Sequence, residues 1–178
     1  MQAGDYETAL DHFERVLQKI PGDPATLVSR GHALKTYGRT EEAISSYKAA
    51  TDVAPGQGDA WYGLANLKTY SFGDDELARI AALDIDHMSR VHIAFALGMA
   101  HEDRGDHDAA FLAYAQGNAL KHQTVRYTTD QMHAEFDAQK AICTADLFEA
   151  QAGKGCPAPD PIFILGLPRA GSTLIEQI

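Results

Sequence analysis

Cysteine is nearly absent from this chain: Cys143 and Cys156 are the only two in 178 residues, and no C-x-x-C pairs them. That spacing fits neither a disulfide framework nor a zinc site, so both read as reduced thiols of a cytoplasmic protein. Basic charge is also scarce, with 15 Lys and Arg against 25 Asp and Glu and a formal net charge of −10. Such a surface repels a polyanion over most of its area, which argues against nucleic-acid binding but not against a small anion held in one local pocket. No apolar stretch reaches the roughly 18 residues a spanning helix needs, so no membrane span is expected. The start, MQAGDYETALDHFERV, has no basic region followed by an apolar run, and no signal peptide is read there. The eight histidines are scattered without an H-E-x-x-H arrangement. HEDRGDHD from His101 reads as a solvated helix end and turn, so no metal is expected.

What is present is ordinary globular composition, 45% hydrophobic and 22% charged, carrying an internal repeat. GDYETALDHFERVLQKIPGD from Gly4 aligns with GRTEEAISSYKAATDVAPGQ from Gly38. The pairs Gly4/Gly38, Ala9/Ala43, Phe13/Tyr47 and Pro21/Pro55 are each 34 residues apart. Further copies follow Gly73 and Gly105, so the glycines are spaced 34, 35 and 32. Before each later glycine lies a helical segment with a small residue for close approach: Gly31, Ala65 and Gly98. After each glycine comes a second helix with alanine at the crossing: Ala9, Ala43, Ala78 and Ala110. Phe13, Tyr47, Trp61, Leu64 and Tyr114 fill the gaps between helices. The glycines end the first helices at positive φ, and Pro21 and Pro55 stop the second ones.

This pattern resembles the tetratricopeptide repeat family from Gly4 to about Lys121, with Trp61, Ala65, Gly38, Tyr47 and Pro55 at family positions. Phe72 before the turn glycine, and His122 in place of a proline, depart from it. The resemblance implies an all-α helix-turn-helix solenoid over 1–122. The first repeat is incomplete there, as if residues upstream were missing. It also implies a concave face made by the first helices, which binds extended peptides in this family. Repeat position puts His32, Lys35, Tyr62, Asn66, His92, Phe95 and Met99 in that groove. The plainer alternative is that they cover a solvated surface or support a neighbouring domain.

Residues 123–150 read as one or two further helices covering the apolar end of the solenoid. They carry Met132, Phe136, Ile142, Leu147 and Phe148, with Thr129 or Asp130 as N-cap. Residues 151–160, with two glycines and two prolines, form a linker. Residues 161–178 start a second domain. The apolar run Pro161 to Leu165 predicts a strand buried on both faces, GLPRAGST a loop, and STLIEQI a helix. Strand, glycine loop and helix together aim backbone N–H groups at one anion. Gly171 permits close approach, Ser172 and Thr173 offer hydroxyls, and Arg169 supplies a permanent charge. The loop nearly spells a nucleotide-binding P-loop, but Ser172 stands where lysine would reach the phosphates.

PRAGSTL resembles instead the 5′-phosphosulfate loop of the sulfotransferases, and the stretch from Pro161 to Ile178 resembles the entry of sulfotransferases that carry N-terminal tetratricopeptide repeats. Ala170 and Ser172 depart from the usual serine and threonine. The resemblance implies transfer of a sulfuryl group from 3′-phosphoadenylyl sulfate (PAPS) to a hydroxyl or amine, without a metal. Pro168, Arg169, Ala170, Gly171, Ser172 and Thr173 would grip the 5′-phosphate, and Arg169 would also act in catalysis at the bridging oxygen. On this reading the chain is an N-terminal fragment lacking most of the catalytic domain, so it would not transfer sulfate by itself. Two rivals stand beside it: a tetratricopeptide scaffold for protein–protein interaction without catalysis, and a P-loop kinase or NTPase.

Overall fold

Four helices begin where an aspartate supplies an acceptor for their free N–H groups. Asp5, Asp23, Asp86 and Asp106 accept from the backbone N–H of Thr8, Thr26, Ser89 and Ala109 at 2.8–3.2 Å. These caps open α1 (Tyr6–Lys19), α2 (Pro24–Thr36), α6 (His87–Asp103) and α7 (His107–His122). Between them lie α3 (Thr40–Val53), α4 (Gly58–Ala65) and α5 (Asp74–Ala81). The computed structural model describes residues 5–83, 85–155, 164–166 and 171–176. It divides into two units, Met1–Val125 and Arg126–Ile178.

The first unit is a run of helix pairs. α1 and α3 stop just before Pro21 and Pro55, as expected for residues that cannot donate to the next turn. Gly38 and Gly105 end the first helices α2 and α6 at φ +86° and +75°, a left-handed conformation that costs glycine least. α2, α4 and α6 lie side by side, α1 and α3 pack on α2, α3 also on α4, and α7 on α6. The core between the layers holds Leu34, Ala43, Tyr47, Ala50, Trp61, Leu64, Ile80 and Ala96.

Close approach is set by glycine. A Cβ at Gly31 would lie 2.5 Å from the Tyr47 ring, one at Gly63 2.6 Å from the same ring, and one at Gly98 2.4 Å from Tyr114. The two tyrosine rings therefore press close against backbone, and none of the three positions admits even alanine without displacement.

The third repeat departs from the expected pattern. Gly73 has φ −75° and serves as the N-cap of α5 rather than as a left-handed stop. Its N–H donates to the Glu76 carboxylate at 3.0 Å, and Tyr70 donates to the other oxygen at 2.5 Å. The glycine cannot end α4 because α4 has already ended at Ala65, leaving a non-helical link over 66–73. Ala78, expected at a helix crossing, is exposed, and Ile80 is the buried residue of α5. Leu77, partly buried, packs against the core instead. Arg104 closes the link by donating to the Phe72 carbonyl at 2.8 Å and to Asp74 at 2.7 Å.

The second unit contains α8 (Thr129–Ile142), α9 (Ala145–Ala150) and α10 (Ser172–Glu176). Thr128, not Thr129 or Asp130, caps α8, accepting from Gln131 N–H at 3.2 Å. Met132, Phe136, Ile142 and Phe148 are exposed rather than turned inward, and α8 buries none of its residues. Residues 151–153 form a turn. Most of the expected strand, residues 161–163, lies outside the described residues, and Ile164 to Gly166 are not in a strand. Leu165 is 90% exposed, so it is not a buried sheet residue here. Among the described residues the structure is helical throughout, with no strand.

Candidate functional site: the face of α2, α4 and α6

Three consecutive first helices present a row of half-exposed polar and aromatic side chains. His32 on α2 sits between two partners. Its Nδ1 is 2.8 Å from the Tyr47 hydroxyl, and its Nε2 is 3.5 Å from Asp59 on α4. Tyr47 is buried completely, so its hydroxyl needs the imidazole as partner. Hydrogen bonding to His32 holds the Asp59 carboxyl below the usual carboxylate range, against the opposing effect of burial; the charges of His32 and His92 add to it.

Lys35, one turn beyond His32, donates to the backbone carbonyl of Asn66 at 3.2 Å. Asn66 is the C-cap of α4, where a cation also meets the negative end of the helix dipole. On the other flank Tyr62 stacks on His92 of α6, with ring centroids 5.8 Å apart. Phe95 tilts against Tyr114 at 6.3 Å, and Met99 continues the line half-buried one turn further. The Tyr114 hydroxyl donates to Glu102 at 2.7 Å.

All seven expected groove residues, His32, Lys35, Tyr62, Asn66, His92, Phe95 and Met99, thus lie on α2, α4 and α6 or at the end of α4. Direct contacts join His32 to α4, Lys35 to Asn66, and Tyr62 to His92. Sequence reasoning missed Asp59, the Tyr47 hydroxyl and Glu102 as parts of this face. Asp59 was readable: 59, 62 and 66 follow the i, i+3, i+7 spacing of one helix face, as do 92, 95 and 99.

The second expected site is described only in part. Pro168, Arg169 and Ala170 lie outside the described residues. Gly171 has φ +87° and opens α10, and its carbonyl accepts from Leu174 and Ile175 N–H at 3.0 and 3.1 Å. Ser172 is the first residue of that helix and Thr173 the second.

Residues 28–85 match the tetratricopeptide repeat family. This chain carries a tetratricopeptide repeat. The matched segment spans α2 to α5 and the link within the third repeat, and stops short of the Gly166 to Thr173 loop. An uncharacterized protein of Aquifex aeolicus (strain VF5) is 28% identical over 176 residues, which cover 96% of this chain and 22% of that protein. The chain therefore spans about a fifth of that relative's length. Among the described residues no helix is long and apolar enough to cross a membrane.

Proposed function

We propose that the tetratricopeptide unit is a docking scaffold that holds an extended polypeptide on the face of α2, α4 and α6. One observation carries this reading: the contacts His32–Asp59, Lys35–Asn66 and Tyr62–His92 join three helices while leaving their side chains half-exposed. A purely structural seam would bury such groups. A purely solvated one would not stack aromatic rings on imidazoles. The experiment is an amide-resolved NMR titration of the 178-residue chain with a panel of extended peptides. Shifts centred on His32, Tyr62 and His92, lost in Tyr62→Ala/His92→Ala, are expected. Binding elsewhere, or none, removes the reading.

A second reading concerns the longer protein to which this chain would belong: a sulfotransferase using PAPS. The sequence GLPRAGST favours it, together with the left-handed Gly171 at the head of α10. Backbone N–H groups after Gly171, the Ser172 and Thr173 hydroxyls and the Arg169 guanidinium are a donor set that suits a 5′-phosphate. PAPS would supply the sulfuryl group. Arg169 would stabilise charge on the bridging oxygen as its bond to sulfur breaks and the acceptor hydroxyl or amine takes the sulfur. The test is binding of adenosine 3′,5′-bisphosphate to a chain extended downstream of Ile178. Tight binding that Arg169→Ala abolishes supports the transferase. Preference for Mg-ATP supports the kinase or NTPase alternative instead.

A further inference from the structure

We infer that the back of α6, opposite the α2–α4–α6 face, borders a binding cleft for a small, free aromatic molecule of one or two fused rings.

The cleft originates in the third repeat. Nine residues after the repeat glycine, three copies carry a ring: Phe13 after Gly4, Tyr47 after Gly38 and Tyr114 after Gly105. The third copy has Ala82 after Gly73. Ala82 is also the C-cap of α5, which holds 8 residues where α1 and α3 hold 14 and α7 holds 16. A ring and about two turns of helix are therefore lacking at this level. Beside the end of α5 lies a cavity of about 410 Å³.

The walls decide what enters. Ile80, Leu83, Ile85, Ile93, Ala94 and Leu97 line the cavity. Ile80, Ile93 and Ala94 are buried, and the other three are half-buried. Among the lining residues only Arg90 and Gln116 bring polar side chains, and both are exposed. Aliphatic walls with two polar groups at the rim suit an apolar ligand that is anchored at one edge. An apolar cavity of roughly 150 Å³ already admits benzene, so this one has room for about two fused rings. Arg90 favours a flat ring over a saturated one, since a guanidinium can stack its planar face on a ring while its N–H edge bonds elsewhere.

Helical spacing keeps the cleft apart from the docking face. α6 turns His92, Phe95 and Met99 to one side and Arg90, Ile93, Ala94 and Leu97 to the other. A ligand in the cleft and a polypeptide on the face do not compete for the same side chains.

Methyl-resolved NMR of the 178-residue chain tests the site. The probes are 2-naphthol, its saturated counterpart decahydro-2-naphthol, and N-acetyltryptophanamide. 2-Naphthol is expected to shift the δ1 methyls of Ile80, Ile85 and Ile93 but not those of Ile20 and Ile44, with a dissociation constant of roughly 0.1–1 mM. Decahydro-2-naphthol should bind about three- to fivefold more weakly, and Arg90→Gln should remove that difference. Ala81 is an exposed residue of the wall. Ala81→Phe should abolish binding by filling the cleft, and Ala81→Asp should weaken it by placing a charge at the mouth. Binding that survives both variants unchanged, or shifts no larger at Ile80, Ile85 and Ile93 than at Ile20 and Ile44, would overturn the site. Equal affinity for the two naphthols would overturn the aromatic preference. If N-acetyltryptophanamide binds more tightly than 2-naphthol, the cleft serves a partner's side chain, and the inference of a free ligand fails.

Discussion

The Tyr47 hydroxyl meets Nδ1 of His32 at 2.8 Å, joining the most enclosed ring of the core to the exposed face. The ring packs against Gly31 and Gly63 while the oxygen reaches the imidazole. Tyr47→Phe keeps the packing and removes the bond. The expected loss is about 1 kcal/mol of stability by urea unfolding, with a change in the His32 ring nitrogen resonances. An unchanged His32 spectrum would show that the phenol does not orient it.

Gly31 offers a sharper test, because two effects oppose each other. Alanine is favoured over glycine in a helix by about 1 kcal/mol. Here its Cβ would lie 2.5 Å from Tyr47, and overpacking of that kind costs about 1–3 kcal/mol. Gly31→Ala should therefore destabilise, and the penalty should disappear in a Tyr47→Ala background. Gly38→Ala should destabilise too, by about 1–2 kcal/mol, but through its φ of +86° with nothing within 4 Å of the new Cβ. Its penalty should persist in the Tyr47→Ala background, as a double-mutant cycle would reveal.

Trp61 is the single tryptophan and is 1% exposed. Its Nε1–H donates to the Pro55 carbonyl at 2.8 Å, and the Arg79 guanidinium lies 5.3 Å from the ring centroid. Emission should be blue-shifted in the folded chain and move red on unfolding, reporting on the third repeat alone. Trp61→Phe forfeits the bond and part of the packing, an expected loss of about 2 kcal/mol in chemical denaturation.

Alkaline pH should weaken the solenoid through its tyrosines. Burial, reinforced by nearby Glu102, pushes the Tyr114 phenol up to about 12 from an ordinary 10.0. Burial likewise raises Tyr47 and Tyr70 well above the usual range. A folded-state pKa above the unfolded one means stability that is complete below pH 10.0, drains as pH rises, and for Tyr114 is gone above about 12. Urea midpoints should accordingly fall between pH 9.5 and 11.5, roughly the window between the two states' values. In Tyr114→Phe the fall should be shallower. A flat profile would contradict this assignment.

Much of the helical layer was legible because the repeat fixes it. Gly38, Gly105, Pro21 and Pro55 stand at chain reversals that few other residues tolerate, and their spacing alone located α1 to α3, α6 and α7. The third repeat was not legible, since a 34-residue template expects the glycine to follow the first helix directly, whereas α4 stops eight residues before Gly73. Gly63, which also gives Tyr47 its room, was not among the expected close-approach residues. On the face itself the seven expected residues were found by position; Asp59 shares their helical spacing and was overlooked, while its pairing with His32 of the preceding repeat could not be read. Contacts between repeats leave no local trace in the sequence.

The segment from Asn66 to Gly73 buries Leu67 and Phe72 in the core, and charged side chains tie its backbone and the following α5 to their neighbours. Arg104 grips the Phe72 carbonyl, and α5 beyond it reaches α3 through Arg79, which bonds Asp52 and the Thr51 carbonyl. Charged tethers at a water-facing seam slacken as salt screens them, while apolar helix contacts do not. Amide exchange should thus find the earliest breathing of the array in α5, and added salt should quicken it there while the α2–α3 pair stays shut.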